Sequence, residues 1–492
     1  MRHGARRKRH FIPDILTAWG SPAVNAPSPL GAGSTTLNTR TGRGYETGLM
    51  VLLSLAFGFV FFDRNAMNFL APFVAPELHL NNAQISLLSS GFSFAWALAG
   101  YLGGRLSDSA GRRKSFLLVT FIIFSCCSFL SGLATSFLML LAARVAMGLA
   151  EGPVLPISQS LLMLESAESR RGFNMGFMQN FGSNLIGSTL APLVLVALAD
   201  LYGWRAAFYI AGLPGLILAA LIWKFVREPP RTPAQAAAAP SDPRAQASQP
   251  VATLSGSAPA IAPPMGIAQP AGPALSPFAM VRTHNIWLCI LISICLVPWM
   301  ILGWVFLPLY YVNVRHFSHS DMSLLMGVLG VSAALFGFIL PALSDRLGRK
   351  PVVVIFSLVG VLLPLSVLYF QGSPLLLAVL IFFGWSASGV FPLFMSTIPS
   401  ETLPARYIAT AIALVVGFGE LIGGVLVPFG AGVAADRYGL QVTLFIQLVC
   451  AVVATILALF LRETAPAKVG ALTRGRSQPS AELRETRATD AG

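Results

Sequence analysis

The sequence predicts an all-α membrane protein with twelve transmembrane helices arranged as two six-helix bundles. Three observations lead to this prediction. Only 11% of the 492 residues are charged and 55% are apolar, whereas soluble globular proteins contain about 25% charged residues. The chain has a dozen apolar runs, each close to or above the roughly 20 residues that cross a bilayer. A charged loop motif also occurs twice, once in each half of the chain.

The apolar runs form two groups of six, which are separated and flanked by stretches of different composition. Residues 1–48 predict a disordered cytoplasmic tail, 49–226 the first bundle, 227–284 a cytoplasmic Ala- and Pro-rich linker, 285–462 the second bundle, and 463–492 another cytoplasmic tail. The linker is too poor in large apolar residues to build a core. The predicted spans are 49–73, 85–105, 115–134, 136–164, 172–200 and 204–226, then 285–313, 320–343, 351–371, 374–398, 407–434 and 440–462.

The basic residues predict how the chain is oriented. Lys and Arg number 33 against 20 acidic residues, which gives a net charge of +13. They concentrate in the tails, the linker and the loops after spans two, four, eight and ten, whereas the loops of the opposite side contain Arg205, Arg315 and Arg437. The positive-inside rule then places both termini in the cytoplasm. We expect a multi-pass protein of the cell inner (plasma) membrane, with the lipid bilayer and not a nucleic acid as its charged partner.

The loop after the second span of each half carries the same motif. The sequences GGRLSDSAGRRK and PALSDRLGRKPV share L-S-D-x-x-G-R-[RK]. The Gly can close a tight turn at a helix end, and the Asp can face a helix N-terminus or a neighbouring Arg. Two matched copies indicate a duplicated six-helix unit. We expect these loops to govern conformational exchange, through Gly104, Asp108, Gly111, Arg112, Asp345, Gly348 and Arg349.

The spans, the long linker and the doubled motif together resemble the major facilitator superfamily of secondary transporters, over about residues 49–463. The first copy fits the family pattern G-x-L-x-D-x-x-G-R-[RK] from Gly104 to Arg113, and the second has Pro341 in place of the first Gly. The resemblance implies two bundles that rock around a central site. Because the sequence contains no phosphate-binding loop and no catalytic Ser/His/Asp or Cys/His set, we expect no enzyme activity, no cofactor and no use of ATP.

Five charged residues lie well inside the predicted spans, away from the span ends. Asp63 and Arg64 are adjacent in span one, Arg144 and Glu151 are seven residues apart in span four, and Glu420 lies in span eleven. Seven residues are about two helical turns, so Arg144 and Glu151 share a face, roughly 10 Å apart. Each charge costs about 2.5 kcal/mol or more in a bilayer.

Two interpretations of these charges are open. Asp63 with Arg64 and Glu151 with Arg144 can be compensated structural pairs. Alternatively, the cations attract an anionic substrate and the carboxylates, removed from water, load and release a proton. We favour function, because apolar residues would fill the same space at lower cost.

Two short sequences are more specific than the loop motif. F-D-R-N at Phe62–Asn65 and R-V-A-M-G-L-A-E-G-P-V-L-P at Arg144–Pro156 resemble the anion:cation symporter family, which moves organic anions such as sugar acids, sialic acid, glutamate and aromatic acids. The resemblance implies that Asp63, Arg64, Arg144 and Glu151 carry substrate binding and proton coupling. We expect Arg64 and Arg144 to bind the substrate carboxylate.

We expect Glu151 to be the main coupling group, since its protonation would release Arg144, and Asp63 to be the second candidate. Glu420 is a third candidate that the resemblance does not account for. In span five, Asn180 and Asn184 share a face and can bind either ligand hydroxyls or a neighbouring helix. Aromatic residues of two spans can line the cavity: Trp299, Trp304, Tyr310 and Tyr311 in span seven, and Trp385 in span ten. For those near span ends, Tyr310 and Tyr311 above all, an interfacial aromatic belt is the alternative.

The sequence therefore predicts a monomeric transporter that takes up a small organic anion, a sugar acid or other carboxylate, together with protons. One alternative is an efflux antiporter for apolar or cationic compounds, and another is a membrane sensor of the same fold that does not transport. Efflux is disfavoured because span five lacks the G-x-x-x-G-P-x-x-G run of that branch and has GSNLIGSTLAPL at Gly182–Leu193 instead.

Overall fold

The computed structural model describes residues 43–110, 112–167, 170–228, 277–404, 407–466 and 468. Within these residues the chain forms twelve long helices. Eleven are long and apolar enough to cross a membrane, and the helix at the predicted second span has 29 residues. The N-terminal bundle contains α1 Arg43–Glu77, α2 Asn82–Ala110, α3 Arg113–Gly132, α4 Phe137–Glu165, α5 Phe173–Tyr202 and α6 Trp204–Phe225. The C-terminal bundle contains α7 His284–Asn313, α8 His319–Leu347, α9 Arg349–Tyr369, α10 Pro374–Thr402, α11 Thr410–Tyr438 and α12 Gln441–Leu459.

This architecture confirms the predicted fold of twelve transmembrane helices in two bundles. Several helices begin where a serine caps them: Ser136, Ser318 and Ser373 each accept a hydrogen bond from the backbone N–H three residues later. Such caps satisfy donors that a helix start leaves without a partner. Apolar length therefore sets the existence of each helix, and local polar chemistry sets where it begins.

The fifth helix of each bundle changes geometry halfway along. α5 is π-helical over Phe181–Leu190, and α11 is π-helical over Gly419–Leu426. Pro192 and Pro428 follow these segments at equivalent places. A proline cannot donate to the carbonyl four residues earlier, so the turn before it widens readily. π-Helical turns occur often at functional sites.

Two glycine turns at one end of the protein belong to a second internal repeat. Gly203 has a φ of 81° and joins α5 to α6, and Gly439 has a φ of 84° and joins α11 to α12. Only glycine adopts such angles without strain. Each glycine ends an A-D-x-Y-G sequence, so the two turns are equivalent between the bundles. We call this the Gly203/Gly439 end, and the opposite one, where Gly348 joins α8 to α9, the Gly348 end.

The two bundles meet along a seam where α1 packs on α7, α2 on α11 and α5 on α8. At the Gly203/Gly439 end, the Asp436 carboxylate accepts hydrogen bonds from the N–H groups of Asn82, at 2.8 Å, and Ala83, at 3.0 Å. His319 Nδ1 lies 2.8 Å from Asp200 Oδ1, and the His319 and Phe73 rings are 4.2 Å apart. We call the contacts of Asp200 and Asp436 the aspartate contacts. They hold the seam closed at this end.

The boundaries of the bundles differ from the sequence prediction at three places. α1 begins at Arg43, inside the predicted tail, because Glu46 accepts a hydrogen bond from Asn174 Nδ2 at 2.7 Å. The predicted linker ends in a short helix, Pro277–Val281, and its residues 229–276 lie outside the described ones. The predicted C-terminal tail begins with Glu463, which accepts hydrogen bonds from the first N–H groups of α9. Counting apolar residues cannot reveal these polar contacts.

Candidate functional site

Three consecutive polar residues in the middle of α1 contact three different neighbouring helices. Asp63 is fully buried, and its Oδ1 accepts a hydrogen bond from Ser128 Oγ on α3 at 2.7 Å. Asn65 Nδ2 donates to the carbonyl of Gly187, in the π-helical part of α5, at 3.0 Å. The Arg64 guanidinium lies against aromatic rings of α2. Successive helical residues point about 100° apart, so α1 supplies polar groups to α2, α3 and α5 at one depth.

Arg144 connects α4 to the backbone of α1. Its side chain is 2% exposed, and its Nη2 donates to the Arg64 backbone carbonyl at 2.6 Å. Its Nη1 lies 3.2 Å from Met147 Sδ, while its Nε has no hydrogen-bond partner among the described residues. Two of the five N–H donors of Arg144 are therefore used on the protein itself.

Arg64 is a half-buried cation surrounded by aromatic faces. Its Cζ lies 4.9 Å from the ring centre of Phe92, 5.0 Å from that of Trp96 and 5.3 Å from that of Phe61. Its guanidinium makes no hydrogen bond or ion pair within the described part of the chain. Aromatic faces stabilise a cation but leave the N–H edges of a guanidinium open. Arg64 can therefore accept an anion at its edge without giving up a protein partner.

Glu151 is a buried carboxylate without a hydrogen-bond donor. It is 1% exposed, and neither Oε1 nor Oε2 has a hydrogen-bond partner among the residues that the structure describes. Its electrostatic neighbours are Asp63, Arg64 and Arg144. A buried polar group without a partner carries a desolvation cost of about 1–3 kcal/mol or more. Such a cost in a protein's interior requires a compensating role.

The two charge pairs that one interpretation of the sequence requires are not formed. No N–O contact within ion-pair distance joins Asp63 to Arg64 or Glu151 to Arg144, all four of which are described. Asp63 and Arg64 point in different directions because they are adjacent in a helix. Arg144 directs its fork to the Arg64 carbonyl, and two turns separate it from Glu151. Asp63 with Arg64 and Glu151 with Arg144 are therefore not direct ion pairs in the described structure.

Glu420 brings the C-terminal bundle into the same group of charges. It lies in the π-helical part of α11 and is partly exposed. Its electrostatic partner is Arg64, across the seam. The group thus contains three carboxylates and two guanidiniums drawn from α1, α4 and α11, and Arg64 lies between the acids of the two bundles.

The asparagines of α5 do not bind a neighbouring helix among the described residues. Asn180 Nδ2 donates to the Gly176 carbonyl of its own helix at 3.3 Å. The Asn184 side chain is partly exposed and makes no hydrogen bond to another described residue. The described residues do not form the hydrogen bond between helices that one of the two interpretations requires. Ligand binding by Asn180 and Asn184 stays a prediction.

The tryptophans of the C-terminal bundle differ from what the sequence suggests. Trp299 and Trp385 have no exposed surface and stack on each other with ring centres 4.9 Å apart. Neither lines an open cavity, because both pack inside the bundle. Trp304 is partly exposed and lies across the seam from Phe69, with ring centres 6.1 Å apart.

The loop motif lies at the Gly348 end, away from the central charges. Gly348 has a φ of 108° and separates α8 from α9. Arg349 contacts Asp345 Oδ1 at 2.5 Å and Glu401 Oε1 at 2.9 Å, which fixes the second copy of the motif to α10. In the first copy, α2 contains Gly104 and Asp108, the exposed Arg112 precedes α3, and the Asp108 side chain and Gly111 lie outside the described residues.

The sequence did not identify four residues that contact the central charges. Phe92 and Trp96 cover Arg64, Ser128 donates to Asp63, and Met147 contacts Arg144. Phe92 and Trp96 are four apart on α2, a spacing that places them on one face. That spacing could have identified the two rings as partners of a buried cation. A single serine in an apolar helix gives no such indication.

Comparison with known proteins identifies a family model and solved structures that match this chain. The family model described as Major Facilitator Superfamily matches residues 53–415 and 299–489. Among solved structures, a bacterial homolog of the human lysosomal transporter Spinster matches with a TM-score of 0.65 and 19% identity, covering 85% of this chain and 97% of that one. A D-xylose-proton symporter matches with a TM-score of 0.64 and 18% identity, covering 85% and 99%. These structures share the fold.

Curated relatives include several transporters. The hexuronate transporter of Bacillus subtilis (strain 168) is 32% identical over 184 residues, which are 37% of this chain and 43% of the relative. The probable L-galactonate transporter of Escherichia coli (strain K12) is 28% identical over 40% of this chain and 43% of its own length. The probable 4-methylmuconolactone transporter of Cupriavidus pinatubonensis is 28% identical over 77% and 81%.

The match to the first two relatives spans less than half of their length, whereas the family model covers most of this chain. With its twelve helices in two bundles and a family model that matches residues 53–415, the chain belongs to the Major Facilitator Superfamily.

Proposed function

We propose that this protein takes up a small organic anion, a sugar acid or other carboxylate, together with protons. The observation that carries the proposal is Arg64. It is a cation in the middle of a membrane protein, held by three aromatic faces, with no acceptor among the described residues. A carboxylate can bind the open edge of a guanidinium through two parallel hydrogen bonds.

Proton coupling follows from the charge of the central group. Its three carboxylates and two guanidiniums leave one negative charge in excess when all are ionised, and a bound monoanion adds another. Uncompensated charge is costly in a poorly hydrated site. Uptake of a proton with each anion would keep the charge of the site constant. Glu151 is the proposed proton acceptor, because no donor in the described chain stabilises its charged form, with Asp63 and Glu420 as alternatives.

Alternating access is supported by the asymmetry of the seam. The aspartate contacts hold the bundles together at the Gly203/Gly439 end. The distribution of basic loops supports an orientation with this end outside the cell and the Gly348 end in the cytoplasm. We propose that the protein acts as a monomer in the inner membrane with both termini cytoplasmic, and that this conformation opens toward the cytoplasm. Transport then requires the aspartate contacts to break and the loops of the Gly348 end to close.

The names of the relatives suggest the class of substrate. One is named for hexuronate and another for L-galactonate, and both compounds combine a carboxylate with several hydroxyl groups. Asn180 and Asn184, which lie on α5 near the seam, are suited to bind such hydroxyls. We therefore place a hydroxylated carboxylate first among the substrates to test.

Uptake into proteoliposomes tests the proposal. Labelled D-glucuronate, D-galactonate and sulfoacetate are offered with the outside more acidic, and an enclosed pH dye reports proton entry. We expect accumulation of at least one acid above its external concentration, with proton entry that depends on that acid. Empty liposomes and a dissipated pH gradient serve as controls. Proton-driven export of an apolar or cationic dye, or binding of an acid without flux, would instead indicate the antiporter or the sensor.

A further inference from the structure

We propose that Phe92 is a positioning residue whose single ring holds the guanidiniums of Arg64 and Arg144 in place and thereby sets the geometry of the anion site. This inference rests on the proposed function and deepens it. Phe92 lies on α2 and is 2% exposed. Phe92 acts through the two arginines and not by contact with the substrate.

The Phe92 ring lies against two cations at once. The Cζ of Arg64 lies 4.9 Å from the Phe92 ring centre, and the Cζ of Arg144 lies 5.0 Å from it. Both distances are within the roughly 6 Å at which an aromatic face attracts a cation. Two guanidiniums this close to one ring also repel each other, and water does not screen that repulsion well in a buried site. The Phe92 ring attracts both guanidiniums and so offsets part of the repulsion between them.

The Phe92 ring has little freedom to move away from the two guanidiniums. α2 and α4 approach so closely at Gly148 that an added Cβ would contact the backbone carbonyl of Phe92 and lie 3.0 Å from Ala95 Cβ. The backbone that carries Phe92 is therefore fixed against the helix that carries Arg144. The position of the ring is set by helix packing and not by the arginines themselves.

The Phe92 ring leaves part of each guanidinium available to a carboxylate. A ring covers the flat face of a guanidinium, whereas a carboxylate binds its N–H edge, so the two contacts are compatible. Arg144 uses its Nη2 on the Arg64 carbonyl, and the ring keeps it aligned for that bond. Arg64 makes no hydrogen bond within the described chain, so its N–H groups remain available while the rings hold its Cζ. A substrate carboxylate therefore meets a fork that is already oriented, and less conformational entropy is lost on binding.

Fluorinated phenylalanines test the role of the ring with little change in its shape. Mono-, di- and trifluorophenylalanine at position 92 weaken the negative face progressively. We expect the Kd of the full-length protein for D-galactonate, measured by calorimetry, to rise in steps, to about tenfold for the trifluoro ring. The same residues at position 124 are the matched control. Phe124 is fully buried in the same bundle, its ring contacts Phe121 at 5.1 Å, and no guanidinium of the described chain covers it.

A constant Kd across the series at position 92 would overturn the inference while leaving the proposed function intact, and so would equal effects at positions 92 and 124. If the wild-type protein binds none of D-galactonate, D-glucuronate and sulfoacetate, the proposed function fails. The ring is then judged without any ligand, from the NMR signals of the Arg64 and Arg144 Nε–H groups, assigned by their loss in Arg64→Lys and Arg144→Lys. We expect Phe92→Leu to shift both signals by removing the ring current. Unshifted signals would contradict the arrangement.

Discussion

Asp200 and Asp436 occupy equivalent positions in the two bundles, and each contacts the beginning of the second helix of the opposite bundle. Asp200 lies beside His319 at the start of α8, and Asp436 accepts hydrogen bonds from the first N–H groups of α2. Both belong to an A-D-x-Y-G sequence at the end of the fifth helix. The duplicated unit thus makes the same contact twice across the seam, although with different donors.

The first prediction is that Asp436→Asn opens the seam at the Gly203/Gly439 end. The change removes a charge at a helix N-terminus and weakens two hydrogen bonds, a loss of about 1–2 kcal/mol. Spin labels at Leu201 and Tyr438, both well exposed at this end, report the separation by electron–electron distance measurement once the native cysteines are replaced by alanine. We expect a larger fraction of long distances.

Asp321→Asn is the matched control for this experiment. Asp321 lies in the first turn of α8 at the same end, and its carboxylate accepts a hydrogen bond from Ser318 of the same segment. It should leave the distances unchanged. An Asp436→Asn protein with the distances of the wild type would show that the hydrogen bonds to α2 do not hold the seam.

The second prediction separates the two arginines. Arg64→Lys should weaken D-galactonate binding about 10- to 100-fold, because a lysine lacks the planar fork, while the melting temperature changes little. Arg144→Lys should also lower affinity, but it loses the bond to the Arg64 carbonyl and should reduce the free energy of unfolding by about 1.5–3 kcal/mol. Calorimetric binding and thermal unfolding of both variants provide the check. Equal losses of stability in the two would contradict this division.

The third prediction concerns Glu151→Gln, which resembles the protonated carboxyl. Protein stability should be maintained or slightly increased, since no described hydrogen bond to the carboxylate is lost. The variant should still exchange internal for external D-galactonate, yet lose accumulation driven by a pH gradient. Exchange and accumulation in proteoliposomes measure the two separately.

Glu77→Gln is the control for Glu151→Gln, because Glu77 lies at the exposed end of α1 with Arg205 as its partner. It should retain accumulation. Should Glu151→Gln still concentrate the acid, the coupling group is Asp63 or Glu420, and Glu420→Gln is the next variant to measure.

The fourth prediction is that Asp345→Asn slows transport without changing affinity. Asp345 contacts Arg349 at the Gly348 end, away from the central charges, so its loss should alter the exchange between conformations and not binding. We expect a similar result for Asp108→Asn in the first copy of the motif. Steady-state uptake should show a lower maximal rate at an unchanged calorimetric Kd. A loss of binding with a normal rate would be the opposite result.

The fold was accessible from sequence because a bilayer imposes a length and a composition on each helix. The charged residues of the site were accessible for the same reason, since a charge in an apolar run is conspicuous. Their partners were not. Arg144 donates to the Arg64 carbonyl, and Asp63 accepts a hydrogen bond from Ser128. Both contacts depend on how the helices rotate against one another.

The aspartate contacts show a different limit of sequence reasoning. The A-D-x-Y-G repeat is visible in the sequence, but it resembles an ordinary helix end with a glycine turn. Its contacts with Asn82 and His319 join residues far apart in the chain. Such a partner is known only when the packing of the two bundles is known.

The π-helical segments have a mechanical consequence. Each lies in a fifth helix at the depth of the central charges, and the aspartate lies beyond it at the helix end. A π turn contains an additional residue relative to an α turn, so its conversion to α geometry would rotate the rest of the helix by about 100°. In α5 the Gly187 carbonyl, bound by Asn65, belongs to this segment, and Asp200 lies beyond it. A change in hydrogen bonding beside Arg64 can therefore become a torsion of the helix end, by which a small ligand at the centre turns Asp200 away from His319.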